Sequence, residues 1–203
     1  MSDKTQDNSP FKKPTVAVTG ASRGIGHAIV KEFHNSGWEV FTLARTPFSD
    51  VCPWAEGIVQ HIEIDLADPV SIRASMAELK RRLGNRGLNA LVNNAGISPK
   101  AEDGGRMSAT GTSLEDFQRV MMVNLMAPMM LCSELLGPLQ QAKGAVVNVT
   151  SIAGQQIHPF AGSAYAVSKA GLSALTRELA FELGDKGVRV NAVSPGEIAT
   201  SIL

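Results

Sequence analysis

The chain has 203 residues, which at roughly 150 residues per domain argues for one domain. Hydrophobic residues make up 44% and charged residues 19%, a globular balance rather than a disordered or fibrous one. Nineteen Lys and Arg offset 19 Asp and Glu, so net charge gives no sign of a nucleic-acid partner or an anionic membrane surface. No apolar run reaches the roughly 18 residues of a spanning helix. Two cysteines, Cys52 and Cys132, are too few for a disulfide scaffold. The expectation is a soluble, cytoplasmic protein with no membrane partner. A polar tail without a signal-peptide block occupies residues 1–14, and one domain occupies 15–203.

The first predicted element is a strand over 15–19, apolar on nearly every residue and stopped by Gly20. A helix over 24–36 follows, with Ile25, Ala28, Ile29 and Phe33 at helical spacing and Gly37 behind it. Strands are expected over 40–43 and 58–64, then a helix over 69–83 with Pro69 in its first turn and Gly84 at its end. A strand over 90–92, a long helix over 114–136, a strand over 146–149, a helix over 163–183 and a strand over 188–193 complete the pattern. Strands separated by helices imply right-handed crossovers and a parallel sheet. The loop over 98–112, rich in Gly and Ser/Thr, is long enough to expect a functional role for it.

The first strand runs into Gly20-Ala-Ser22-Arg23-Gly24-Ile25-Gly26 and then a helix. Strand, glycine turn and helix start form the setting of a dinucleotide fingerprint. Gly20 permits the tight turn, Gly24 lets backbone approach a pyrophosphate, and Gly26 packs helix against strand. The free N–H groups of the helix start favour phosphate. The same letters, Gly20-x-Ser22-x-Gly24, also spell a hydrolase elbow with Ser22 as nucleophile. That reading needs a later His, for which only His158 is available beyond residue 61, and it is disfavoured because the turn follows the first strand. About 20 residues past the glycines, a carboxylate would hold a ribose 2′-hydroxyl. This chain has Arg45 there and Arg23 inside the turn. Guanidinium groups pair with a 2′-phosphate, so NADP is expected in preference to NAD.

Tyr165 and Lys169 stand four apart in a helical stretch and share a face. A phenol titrates near ~10, and a neighbouring ammonium would stabilise its phenolate and lower that value. Pro128 has no N–H for the carbonyl of Asn124, which fits either a site that holds water or a plain kink.

Gly20-x3-Gly24-x-Gly26, Asn93-Asn94-Ala95-Gly96, Ser151, Tyr165-x3-Lys169 and Pro195-Gly196 stand in one order across nearly the whole chain. In that order and approximate spacing the chain resembles the short-chain dehydrogenase/reductase family. The resemblance implies a three-layer, doubly wound α/β Rossmann fold with a mostly parallel sheet. It also implies an oxidoreductase, NADP-dependent on the strength of Arg45 and Arg23, acting on a small-molecule carbonyl or secondary alcohol. Tyr165 is implied as acid/base, Lys169 as its tuner and ribose ligand, and Ser151, rather than Thr150, as donor to the substrate oxygen. Asn124 is implied as anchor of a proton-relaying water. Asp65 and Leu66 would cup the adenine, and Asn94, Ala95 and Gly96 would support the adenosine ribose. Pro195, Gly196, Ile198 and Thr200 would meet the nicotinamide.

His27, His34, His61 and His158 are scattered among elements, so no metal is expected. A homodimer or homotetramer is expected, with Leu172, Leu175, Leu179 and Leu183 among the apolar helix positions open to self-association. The rival from another class is an NADP-binding module without turnover. Members of the family usually continue past Pro-Gly with a covering loop, a helix and an edge strand. This sequence stops at Leu203, so that lid and edge strand are expected to be missing.

Overall fold

The computed structural model describes residues 13–46 and 59–198. Thr200, the start of the strand expected over 58–64 and most of the polar tail lie outside the described residues. The described strands are β1 (Thr15–Thr19), β2 (Glu39–Ala44), β3 (Gln60–Glu63), β4 (Ala90–Asn93), β5 (Ala145–Val149) and β6 (Arg189–Val193). They form one sheet in the order β3-β2-β1-β4-β5-β6, with every neighbouring pair parallel. The helices are α1 (Gly24–Asn35), α2 (Pro69–Leu83), α3 (Leu114–Met121), α4 (Ala127–Glu134), α5 (Leu136–Ala142) and α6 (Ser163–Gly184).

The pleat sorts β1 and β2 between two cores. Val16, Val18 and Val40 join Val30 of α1 on one face, while Ala17, Phe41 and Leu43 point to the other. That second face is covered by Ile72, Met76 and Leu79 of α2, by Leu131 of α4 and Leu139 of α5, and by Leu183 of α6. The result is the three-layer α/β architecture expected. α2 has the bounds its sequence calls for. The Asp68 carboxylate caps it by accepting the Val70 N–H at 2.8 Å, and Gly84 ends it with a φ of 58°.

Two expectations are corrected. The helix expected over 114–136 is broken twice. After α3 the chain makes a π-helical turn, Met122–Met126, in which the Ala127 N–H reaches the Met122 carbonyl. Pro128 cannot donate to the Asn124 carbonyl, and a wider turn absorbs the interrupted ladder. A second break at Leu135 leaves α5 inclined by 62° to the helical stretch before it. The α6 leucines are the other correction. Leu172 and Leu183 are buried within the chain's own core, Leu179 packs against it, and Leu175 is half-buried. The large apolar residues that α6 exposes are Val167 and Phe181.

From β1 the strand order runs outward in both directions, which opens a crevice at the carboxyl ends of β1 and β4. The glycine turn and the segment after Asn93 lie at those two ends. Among the described residues, no single helix is long and apolar enough to cross a membrane.

Candidate active site

A cavity of about 420 Å³ is lined by the segments that leave the carboxyl ends of the strands. Every described residue expected at the site lines it, with the exception of Asn124.

The glycine turn is shaped by left-handed backbone at Gly20 (φ 65°) and Gly24 (φ 56°). A Cβ on Gly26 would collide with the Gly20 carbonyl oxygen and Asn94 Nδ2, so the helix can start this close only at glycine. Asn94 has a further role: its Nδ2 donates to the carbonyls of Thr19 at 3.0 Å and Gly20 at 3.2 Å. In return Thr19 Oγ1 accepts the N–H groups of Asn94 at 3.0 Å and Ala95 at 3.1 Å. The segment after β4 thus braces the turn after β1 across the crevice. α1 starts with no side-chain cap and no acidic residue in its first turn. Its positive end therefore stays available to an anion. A seat too tight for a Cβ, beneath an uncapped helix end, fits a dinucleotide pyrophosphate. Exposed Arg23 and Arg45 both line the cavity. Asp65 is held by its N–H donating to Ser71 Oγ at 2.9 Å and its Oδ1 accepting the Ala67 N–H at 2.9 Å. Leu66 beside it is buried on the wall.

Tyr165 and Lys169 emerge from the first two turns of α6. Lys169 Nζ lies 5.7 Å from the centroid of the Tyr165 ring and donates to the Val149 carbonyl at 2.7 Å. Burial pulls the Lys169 ammonium down to about 8. Burial also pushes the Tyr165 phenol up, while a hydrogen bond with Ser151 acts in the other direction. Where the Tyr–Lys spacing led to the expectation of a lowered phenol, the direction here is upward, because loss of water around the ring outweighs the Ser151 hydrogen bond. Ser151 Oγ also accepts the Ala153 N–H at 3.2 Å and caps the short 3-10 turn Ile152–Gly154. Thr150, its neighbour, donates its hydroxyl proton to the Val193 carbonyl at 3.0 Å. Ser151 is therefore the hydroxyl that meets the phenol.

Asn124 stands behind the wall, fully buried in the π-helical turn. Its Oδ1 accepts the Ile97 N–H at 2.8 Å, and its Nδ2 donates to the Ile97 carbonyl at 2.9 Å and to Ser168 Oγ at 3.0 Å. The side chain ties the segment after β4 to α6. Gly96 lies against both, since a Cβ there would stand at ordinary contact distance, 3.4 Å from Lys169 Nζ and 3.5 Å from Asn124 Oδ1.

His158, Glu197 and Lys100 also line the cavity and were not among the expected site residues. His158 Nε2 pairs with Glu197 Oε1 at 3.2 Å, and its Nδ1 accepts the Phe160 N–H at 3.4 Å. Both ring nitrogens thus have partners other than Ser22, which weakens the hydrolase reading. The available signal for His158 was its place midway along the segment joining Ser151 to Tyr165. Among the described residues no three His, Cys, Asp or Glu side chains gather as a metal cluster would require.

A family model described as short chain dehydrogenase matches residues 14–203. Protein FixR of Bradyrhizobium diazoefficiens is 51% identical over 187 residues, covering 92% of this chain and 67% of FixR. A crystallised oxidoreductase of the short chain dehydrogenase/reductase family from Brucella ovis, in complex with a partially ordered NAD, superposes with a TM-score of 0.87. It is 55% identical and covers 92% of this chain and 85% of that one. An NADPH-bound carbonyl reductase from chicken fatty liver superposes with a TM-score of 0.83 at 29% identity, covering 95% of this chain and 82% of that one. The chain spans between 33% and 67% of the length of three curated relatives it matches.

Proposed function

The chain belongs to the short-chain dehydrogenase family, and from that premise we propose that it is an NADP(H)-dependent oxidoreductase that reduces a carbonyl or oxidises a secondary alcohol. The observation that carries this reading is the meeting of Tyr165, Ser151 and Lys169 with the glycine turn on one cavity. A dinucleotide bound there would supply or accept the hydride. In reduction Tyr165 gives its hydroxyl proton to the substrate oxygen as the carbon–oxygen double bond becomes single; in oxidation it takes the proton back. Ser151 donates a hydrogen bond to the same oxygen and stabilises the charge that gathers on it. Lys169 stabilises the phenolate left on Tyr165 and holds the nicotinamide ribose, while the Asn124 carbonyl anchors the water that restores the proton.

Arg23 and Arg45 support NADP over NAD, since β2 is followed by a guanidinium where a ribose-binding carboxylate would stand. The Brucella ovis relative was crystallised with NAD and the chicken enzyme with NADPH, which makes Arg45 the residue to test. Self-association as a dimer or tetramer and a cytoplasmic setting belong to the same reading. The free, buried thiol of Cys132 agrees with the latter.

The test is carbonyl-dependent oxidation of NADPH by the purified chain and by Tyr165→Phe. The substitution is expected to lower kcat by about 10²–10⁴-fold and to leave NADPH affinity in place. Equal turnover by both proteins removes Tyr165 from its role. NADPH binding without turnover of any carbonyl favours a binding module instead.

A further inference from the structure

The loop over 98–112 has a definite structure whose contacts converge on the start of α6. Lys100 and Arg106 form an antiparallel bridge, and the turn between them is closed by Ala101 N–H donating to the Gly105 carbonyl at 3.1 Å and Gly104 N–H to the Ala101 carbonyl at 2.8 Å. Asp103 Oδ1 accepts the Gly105 N–H at 2.8 Å inside that turn. The result is a small hairpin with a cation on each side of its turn.

Both cations reach out of the hairpin to main-chain carbonyls just ahead of α6. Lys100 Nζ donates to the Phe160 carbonyl at 3.0 Å, and Arg106 Nε donates to the Ala161 carbonyl at 2.8 Å. The next residue of the hairpin adds a third tie, because the Met107 carbonyl accepts the Ser163 N–H at 3.3 Å. Met107 also packs on Gly162, where an added Cβ would stand 3.4 Å from its own Cβ. Residues 160 to 163 are thus held one after another by the same hairpin, and Tyr165 follows two positions later. Gly162 itself offers no side-chain cap to α6. A helix end that cannot cap itself takes its place from whatever grips the chain before it.

We propose that Lys100 and Arg106 are positioning residues that clamp the segment ahead of α6 and so set where the Tyr165 hydroxyl stands in the cavity. Arg106 does not line the cavity, so it acts through the Ala161 carbonyl alone. Lys100 lines it and grips the segment at once. The groups around Tyr165 that share its surroundings are Lys169 over the ring, Ser151 at the hydroxyl, and Lys100, His158 and Glu197 on the same cavity. The proposal rests on the Tyr165 reading above only for the kinetic part of its test.

Tyr165 is the single tyrosine of the chain, so the phenolate absorbance band in a pH titration reports this residue alone. In the Lys100→Ala, Arg106→Ala double variant the midpoint is expected to move down toward the ordinary phenol value, because a loosened α6 start admits water to the ring. NADPH affinity, set by the glycine turn, is expected to hold. With isatin as the carbonyl probe, kcat is expected to fall about tenfold to a hundredfold while KM for NADPH stays constant. Arg106→Lys keeps a donor on that side and is expected to restore most of the wild-type titration. Should the double variant lose its circular dichroism signature, Arg106→Gln is read in its place by the same titration. An unmoved titration midpoint in a folded variant overturns the clamp. Lack of isatin turnover by the wild-type chain counts against the functional reading and leaves the titration result to decide the clamp.

Discussion

Lys169 is buried, and its ammonium gives one of three donors to the Val149 carbonyl. Burial lowers it to about 8 from an ordinary 10.5, so the folded chain releases this proton before the unfolded chain does. Between those two values the unfolded state binds more protons, and stability rises with pH; below about 8 the contribution is flat. Tyr165 has the opposite sign. Its value lies above the ordinary 10.0, so stability falls only as pH climbs past that point. The urea midpoint of the cofactor-free chain is therefore expected to climb from pH 8 to pH 10, and Lys169→Met is expected to flatten the climb. The same raised phenol favours its acid form at neutral pH, so carbonyl reduction is expected to be flat through neutrality and to fall above about pH 8, where Lys169 loses the charge that stabilises the phenolate. Arg45 is tested by charge reversal. Arg45→Glu is expected to shift the ratio of NADPH to NADH affinity by at least about tenfold toward NADH, or about 1.4 kcal/mol, read by titration of both dinucleotides.

The glycine turn and the π-helical turn meet the two sides of the cavity with different logic. In the first, backbone shape is set locally by Gly20 and Gly24, and close approach by Gly26. Gly26→Ala is expected to cost about 1–3 kcal/mol through forced overpacking and to abolish dinucleotide binding, measured by urea unfolding and fluorescence titration. Such features are legible in the sequence because the cause lies within a few residues of the effect. α2 is legible for the same reason, with Pro69 and Gly84 marking its ends. The π-helical turn is not. Pro128 announces that a hydrogen bond is lost, but the form of the repair depends on Asn124 reaching Ile97, a partner 27 residues away. Asn124→Ala leaves the Ile97 N–H and carbonyl without that partner and is expected to destabilise the fold by about 1–3 kcal/mol. The reversed direction of the Tyr165 shift has a similar origin: spacing puts Lys169 near the phenol, whereas burial depends on every element around it.

Across the whole molecule, the alternation of strands and helices carried the fold, with β1 and β4 buried along their whole length at the centre of the sheet and β3 and β6 outermost. Sequence periodicity could not tell which apolar helix face meets the chain's own core. Leu172, Leu179 and Leu183 of α6 turned out to pack inward, and among the large apolar side chains left outside are Met126 and Met129 near the π-helical turn with Val167 and Phe181 on α6. Sedimentation is expected to give a dimer or tetramer, and Phe181→Glu to weaken it if that helix is the contact. The sheet order gathers the carboxyl ends of six strands onto one cavity, which is why residues from Gly20 to Ile198 line it together. Whether hydride passes there between dinucleotide and carbonyl is read by isotope transfer. The chain is incubated with NADPH carrying deuterium at the transferable nicotinamide position and a panel of aldehydes and ketones, and the alcohols are weighed by mass spectrometry. Deuterium on the carbinol carbon with the wild-type chain, and its loss with Tyr165→Phe, is the expected result. NADPH that binds without yielding any alcohol, or alcohol that carries no deuterium, would contradict the assignment.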